Sequence, residues 1–192
     1  MKIGVWGDSI TYGEGDSDAL GWVGRFRKSF PVKEYVTVYN RGVCGNTSSD
    51  LLKRFPVEVA SINPEKIVFA IGTNDAKYPV DVLSNKVSYE DFGANMRMLV
   101  EQAQSYTQDV CIIGLMQVDE SVKRFTGVRY INSDLQRYSD FLQELAHEKG
   151  CTFINVFDAL NLRADLFDGL HPNADGYEKL FHLISSHIMS TQ

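Results

Sequence analysis

Of the four histidines in the chain, His147, His182 and His187 fall inside stretches with helical spacing, and only His171 lies in an irregular segment. Pro172 follows it and stiffens the backbone, and Asp168 stands three residues before it. Within one tight turn such a carboxylate can fold back and accept a hydrogen bond from the imidazole. A histidine held this way keeps one tautomer and is stabilised as imidazolium once it has taken a proton. Asp165, on the same segment, is a weaker candidate for the same partner role. Taken alone, Asp168-x-x-His171 reads equally well as a turn ahead of a helix N-terminus.

A base of this kind matters most beside a hydroxyl, which is a weak nucleophile at neutral pH without one. Ser9, in Gly7-Asp8-Ser9-Ile10-Thr11, is the candidate. Its competing role is a helix cap, and the two roles are compatible, because a helix start also directs N–H groups at developing negative charge. The segment has no second glycine, so it is not the G-x-S-x-G elbow of α/β-hydrolases. Gly42-x-x-Gly45 either punctuates a turn or brings the Gly45 N–H close to a substrate carbonyl, with Asn46 or Thr47 capping the helix that follows. Asn74, in Gly72-Thr73-Asn74-Asp75, is either a turn residue or a side-chain oxyanion donor. A nucleophile, a base with its orienter and oxyanion donors are the parts of acyl transfer.

These residues are far apart in sequence, so the fold must gather them. Short apolar runs at Lys2–Trp6, Tyr35–Tyr39, Lys66–Ile71, Val110–Leu115 and Thr152–Val156 predict strands. Between and after them lie helical spacings led by Leu20, Leu51, Phe92, Leu135 and Tyr177, with Pro56 expected to kink or split the second and Gly150 to cap the fourth. Strict alternation implies a parallel sheet with right-handed crossovers, a three-layer α/β/α sandwich, and one domain over residues 1–192. In such folds ligands bind at the carboxyl edge of the strands. Ser9, Gly45, Asn74 and His171 all follow predicted strands, which puts them at that one edge.

Composition bounds the rest. With 19 Lys and Arg against 25 Asp and Glu, the net charge of −6 opposes general affinity for nucleic acid or anionic lipid. Cys44, Cys111 and Cys151 are an odd set without C-x-x-C spacing, which reads as free thiols in a reducing compartment. The longest apolar run, Ile67–Ile71, is far short of the roughly 18 residues that span a bilayer, and the N-terminal run is too short for a signal peptide. A cytoplasmic protein with no stable membrane association is expected. The acidic pairs Asp16/Asp18 and Asp119/Glu120 lack metal-loop spacing, so no metal or cofactor is expected. Gln117–Asn132, the longest stretch without a pattern, also falls at the carboxyl edge. Asp8, Trp22, Val118 and Phe125 are assigned to substrate contact, the last three as an acyl pocket whose alternative, shared with Val122, is simply to cover the core.

Gly7-Asp8-Ser9-Ile10, Gly45-Asn46-Thr47, Gly72-Thr73-Asn74-Asp75 and Asp168-Gly169-Leu170-His171-Pro172 together resemble the four blocks of the SGNH hydrolases, the GDSL-type lipases and esterases. They stand in the family's order and span almost the whole chain. Ile10 replaces the leucine of the name-giving motif, a conservative apolar change. The resemblance implies a flavodoxin-like five-stranded parallel sheet and metal-free hydrolysis of esters or thioesters. It implies Ser9 as nucleophile, His171 as base with Asp168 as partner, and the Ser9 N–H, Gly45 N–H and Asn74 amide as oxyanion donors. The expected substrate is a small-molecule or sugar ester with a short acyl group, acetyl above all. A thioesterase or lysophospholipase would use the same machinery. A flavodoxin-like module holding a phosphate in the loop Asp8 to Gly15 is the non-catalytic reading, and it leaves Asp168 and His171 without a purpose.

Overall fold

A computed structural model describes residues 1–31, 34–122 and 127–189. The five apolar runs become strands β1 (Lys2–Gly7), β2 (Thr37–Gly42), β3 (Lys66–Ala70), β4 (Val110–Ile113) and β5 (Thr152–Ile154). They pair in parallel throughout, in the order β2-β1-β3-β4-β5. The helices are α1 (Ser9–Tyr12), α2 (Gly21–Ser29), α3 (Ser48–Ile62), α4 (Thr73–Ala76), α5 (Tyr89–Gln104), α6 (Asn132–Lys149) and α7 (Ala174–Met189). The chain runs outward from β1 in one direction to β2 and then, from β3 on, in the other. The switch point therefore lies between β1 and β3, where such sheets open a crevice for ligands.

Alternating side chains of the strands feed two cores. Trp6, Ile67, Phe69 and Ile112 pack under α3, α5 and α6 through Phe55, Phe92 and Tyr138. Ile3, Val5, Val68 and Cys111 pack under α2 and α7 through Trp22, Phe26 and Tyr177. Each large apolar side chain buried this way contributes about 1.5–3 kcal/mol of transfer free energy. The result is the three-layer sandwich the pattern implied, with the flavodoxin-like strand order the resemblance implied.

Three local expectations are corrected. β2 starts at Thr37 rather than Tyr35, because Tyr35 adopts a positive φ of 52°, outside strand geometry. It continues to Gly42 because Asn40, Arg41 and Gly42, polar as they are, pair with Val5, Trp6 and Gly7. α3 runs unbroken through Pro56, which sits on the exposed face. Burial of Leu51, Phe55, Val59 and Ile62 on the opposite face outweighs the roughly 3 kcal/mol that proline costs a helix. The one-turn helices α1 and α4 had no hydrophobic spacing to betray them, being shorter than one period pair. They carry Ser9 and Asn74.

Candidate active site

Gly7 ends β1 where the chain must fold back onto the sheet. A Cβ there would stand 2.0 Å from Thr11 Oγ1 and 2.3 Å from the Ala70 carbonyl, so only glycine permits α1 to lie so close to β3. Asp8 caps α1, its Oδ1 accepting from the Ile10 N–H at 3.0 Å. Ser9 is the first helical residue, so its own N–H has no acceptor within the helix.

His171 arrives on the loop before α7. The Phe167 N–H donates to the His171 carbonyl at 2.7 Å, closing a tight loop through Gly169. Inside it, Asp168 Oδ1 accepts from the N–H groups of Leu170 (3.0 Å) and His171 (2.8 Å). Asp168 Oδ2 lies 2.9 Å from His171 Nδ1, and His171 Nε2 lies 2.9 Å from Ser9 Oγ. Burial raises the Asp168 pKa, but the His171 N–H and imidazole prevail and hold the carboxyl below the usual range. An ionised carboxylate only accepts, so Nδ1 donates to it and Nε2 is left to accept from the serine hydroxyl. Serine, imidazole and carboxylate stand in line at hydrogen-bond distance, as acyl transfer requires.

Two further donors face the same edge. Gly45 holds a φ of +78°, with nothing within 4 Å of where a Cβ would be, so its conformation and not its surroundings favours glycine. Its N–H makes no hydrogen bond with the described residues. Thr47 then caps α3 in a capping box with Asp50. Asn74, in α4, is buried; its Nδ2 donates to the Asn46 carbonyl at 3.1 Å, and its Oδ1 accepts from Lys77 Nζ at 2.9 Å. The model of the GDSL-like lipase/acylhydrolase family matches residues 5–179, from β1 to α7, and so spans every one of these segments.

The chain belongs to the GDSL-like lipase/acylhydrolase family. It is a carboxylic ester hydrolase. An acetylxylan esterase of Geobacillus stearothermophilus is 24% identical over 211 residues, covering 98% of this chain and 92% of that one. A solved lipase/acylhydrolase from Enterococcus faecalis is 26% identical, with a TM-score of 0.82 over 98% of this chain and 95% of that one. The crystal structure of Axe2, an acetylxylan esterase from Geobacillus stearothermophilus, shares the fold at 20% identity and a TM-score of 0.78, covering 97% and 93% of the two chains.

Beneath this GDSL-family site lie braces that sequence reasoning missed. Arg54 donates to the carbonyls of Gly7 (3.1 Å) and Arg41 (2.9 Å) and to Asn46 Oδ1 (2.8 Å), tying the ends of β1 and β2 to the Gly45 loop. A mid-helix arginine reads in sequence as a solvated face, so nothing marked it. Asp75 accepts from the Ser48 N–H with both oxygens at 3.0 Å and from Ser48 Oγ at 2.5 Å, joining α4 to the start of α3. Burial pushes its pKa up to about 7, against those bonds. The spacing Asn74-x-x-Lys77 was the one legible signal for the lysine, since residues three apart on a turn are neighbours.

The described residues assigned to substrate contact lie under the surface of the esterase. Asp8 is 2% exposed and spent on capping, and burial pushes its pKa up to about 6 against the Ile10 N–H and His171. Trp22 is a core residue that also lines a cavity of about 30 Å³ with Asp8, Ile10, Thr73 and Leu115, room for about one water. Val118 is fully buried in the core, its N–H donating to Asn132 Oδ1. Phe125 lies outside the described residues. Val122 is partly exposed and packs over Gly169. Among the described residues no group of three His, Cys, Asp or Glu could hold a metal ion, and no helix is long and apolar enough to cross a membrane.

Asp165 does not contact His171. Its buried oxygens accept from Lys179 Nζ at 2.7 Å and from the Asn161 N–H at 2.7 Å, fastening the loop to α7. Burial raises its pKa, but these donors outweigh it and hold the carboxyl below the usual range. A carboxyl depressed on folding stabilises the protein above its unfolded pKa, and that stability is lost as pH falls through the folded value. Asp165→Asn should therefore cost about 1.5–3 kcal/mol in urea unfolding at pH 7. The gap from the parent protein should shrink steadily below about pH 4; an undiminished gap in acid would assign the effect to packing.

Proposed function

We propose that this GDSL-family esterase is a serine hydrolase that releases short acyl groups, chiefly acetyl, from esters of a small molecule or sugar. The observation that carries the reading is the unbroken line from Ser9 Oγ through His171 to Asp168, with 2.9 Å at each step. His171 Nε2 takes the Ser9 proton as Oγ attacks the ester carbonyl carbon. The oxyanion is held by the Ser9 N–H, the Gly45 N–H and the second Asn74 Nδ2 hydrogen, each such donor being worth about 2.7–4 kcal/mol in the transition state. His171 then returns the proton to the leaving alcohol, and water, deprotonated by the same nitrogen, clears the acyl-enzyme.

Preference for a small acyl group is supported by the acetylxylan esterase relative, aligned over almost its whole length, and by the filling of the site floor. Of the candidates for an acyl pocket, Val118 is packed core, and the cavity that Trp22 lines holds only about 30 Å³. We place the protein in the cytoplasm, a reducing setting in which Cys44, Cys111 and Cys151 would stay free thiols. A p-nitrophenyl ester series, run beside acetylated xylo-oligosaccharides and acyl-CoA thioesters, tests the reading. kcat/KM should fall at least about tenfold between acetate and octanoate, since a filled pocket rejects added methylenes. A flat or rising series would make the protein a lipase or long-chain thioesterase.

A further inference from the structure

The amide of Asn74 can present either its oxygen or its nitrogen to a given neighbour, and an oxyanion donor is useful in only one of those orientations. Two contacts set it. The Asn46 carbonyl can only accept, and it takes one Nδ2 hydrogen at 3.1 Å. Lys77 Nζ can only donate, and it holds Oδ1 at 2.9 Å. The second Nδ2 hydrogen has as its neighbour Asp8 Oδ2, at 3.5 Å, too long for a strong bond. This long, weak bond is the one that a developing oxyanion can displace, while the other two hold the amide in place.

We propose that Lys77 is a positioning residue for ester hydrolysis: its ammonium locks and polarises the Asn74 amide so that the second Nδ2 hydrogen, held only weakly by Asp8, meets the oxyanion. The inference rests on the role of Asn74 in the proposed function. Lys77 follows α4 directly, three residues after Asn74, so a single turn brings the two side chains together. Its backbone is pinned on the C-terminal side. The Lys86 N–H donates to the Lys77 carbonyl at 2.7 Å, and the next residue, Tyr78, exchanges two backbone hydrogen bonds with Arg129. The side chain is half-buried, so water competes weakly for Oδ1. A charge-assisted bond to the carbonyl oxygen withdraws electrons from the amide nitrogen and strengthens its remaining N–H as a donor. It also places positive charge behind the donor, where negative charge builds in the transition state but not in the ground state.

The test is a double-mutant cycle on p-nitrophenyl acetate with Lys77→Met, Lys77→Arg, Asn74→Ala and the Asn74→Ala/Lys77→Met pair. Methionine keeps the length and apolar stem of lysine, and circular dichroism and thermal melting establish that each variant folds. Lys77→Met should lower kcat on the order of tenfold with little change in KM, the loss of one charge-assisted hydrogen bond. Lys77→Arg, which keeps a cationic donor, should recover most of that loss. Asn74→Ala should cost about 10²–10³-fold. Lys77→Met should then add nothing, because the amide it served is gone. If Lys77→Met costs the same factor with and without Asn74, or costs nothing in the parent protein, the assignment of Lys77 is overturned while the reading of Asn74 stands. If Asn74→Ala is itself harmless, the oxyanion role of Asn74 falls and that of Lys77 with it.

Discussion

Ser9→Ala should lower kcat for p-nitrophenyl acetate on the order of 10⁶-fold, down to what the remaining oxyanion donors and binding supply. The reason is that Ser9 Oγ lies 2.9 Å from His171 Nε2, at the start of α1, so it combines a neighbouring proton acceptor with a helix-start N–H. Alanine keeps the backbone and both neighbouring donors. Its small volume leaves the buried surroundings undisturbed, so the fold and its stability should barely change. A fluorophosphonate should label the parent protein once, at Ser9, and leave the variant unlabelled. Undiminished turnover with intact folding would mean that the serine mechanism is wrong for this chain.

Asp168→Asn should cost about 10⁴-fold in kcat, and its interest lies in how little else it should alter. The carboxylate does two jobs with separate oxygens. Oδ1 accepts the N–H groups of Leu170 and His171, and Oδ2 faces His171 Nδ1. An asparagine can keep the loop by leaving its oxygen on the two amides. Its nitrogen then meets Nδ1 as a donor, which forces the imidazole proton onto Nε2. In that tautomer Nε2 has no lone pair for the Ser9 proton, and the attack stalls. Asp168→Ala loses the loop bonds as well and should also lower the melting temperature. A variant Asp168→Asn with near-normal kcat would show that the partner of His171 lies elsewhere, and Asp165, committed to Lys179, could not supply it.

The sheet and its edge were legible in the sequence because strands buried on both faces leave near-continuous apolar runs, and β1 and β4 are such strands. β2 is at the edge and half polar, and its limits were misplaced for that reason. Ser9, Gly45, Asn74, Asp168 and His171 were legible because each follows a strand and chemistry restricts the residue types that can serve there. The braces beneath them were not. Arg54 and Asp75 act through carbonyls and amides that any residue supplies, so their partners have no signature in side-chain type. Substrate-contact residues fared worst: Trp22 and Val118 are apolar beside the site in sequence, and apolar residues are as readily core as pocket.

Ser9 and His171 stand 162 positions apart, yet their side chains meet. During synthesis, therefore, a ribosome-bound chain can have β1, α1 and a correctly capped serine long before it has any capacity to hydrolyse an ester. On the proposed mechanism, activity requires the segment bearing the imidazole to have emerged and docked across the sheet, a contact of high loop-closure cost. On that mechanism, nascent and misfolded chains should be inert towards esters, with turnover acquired together with the native topology.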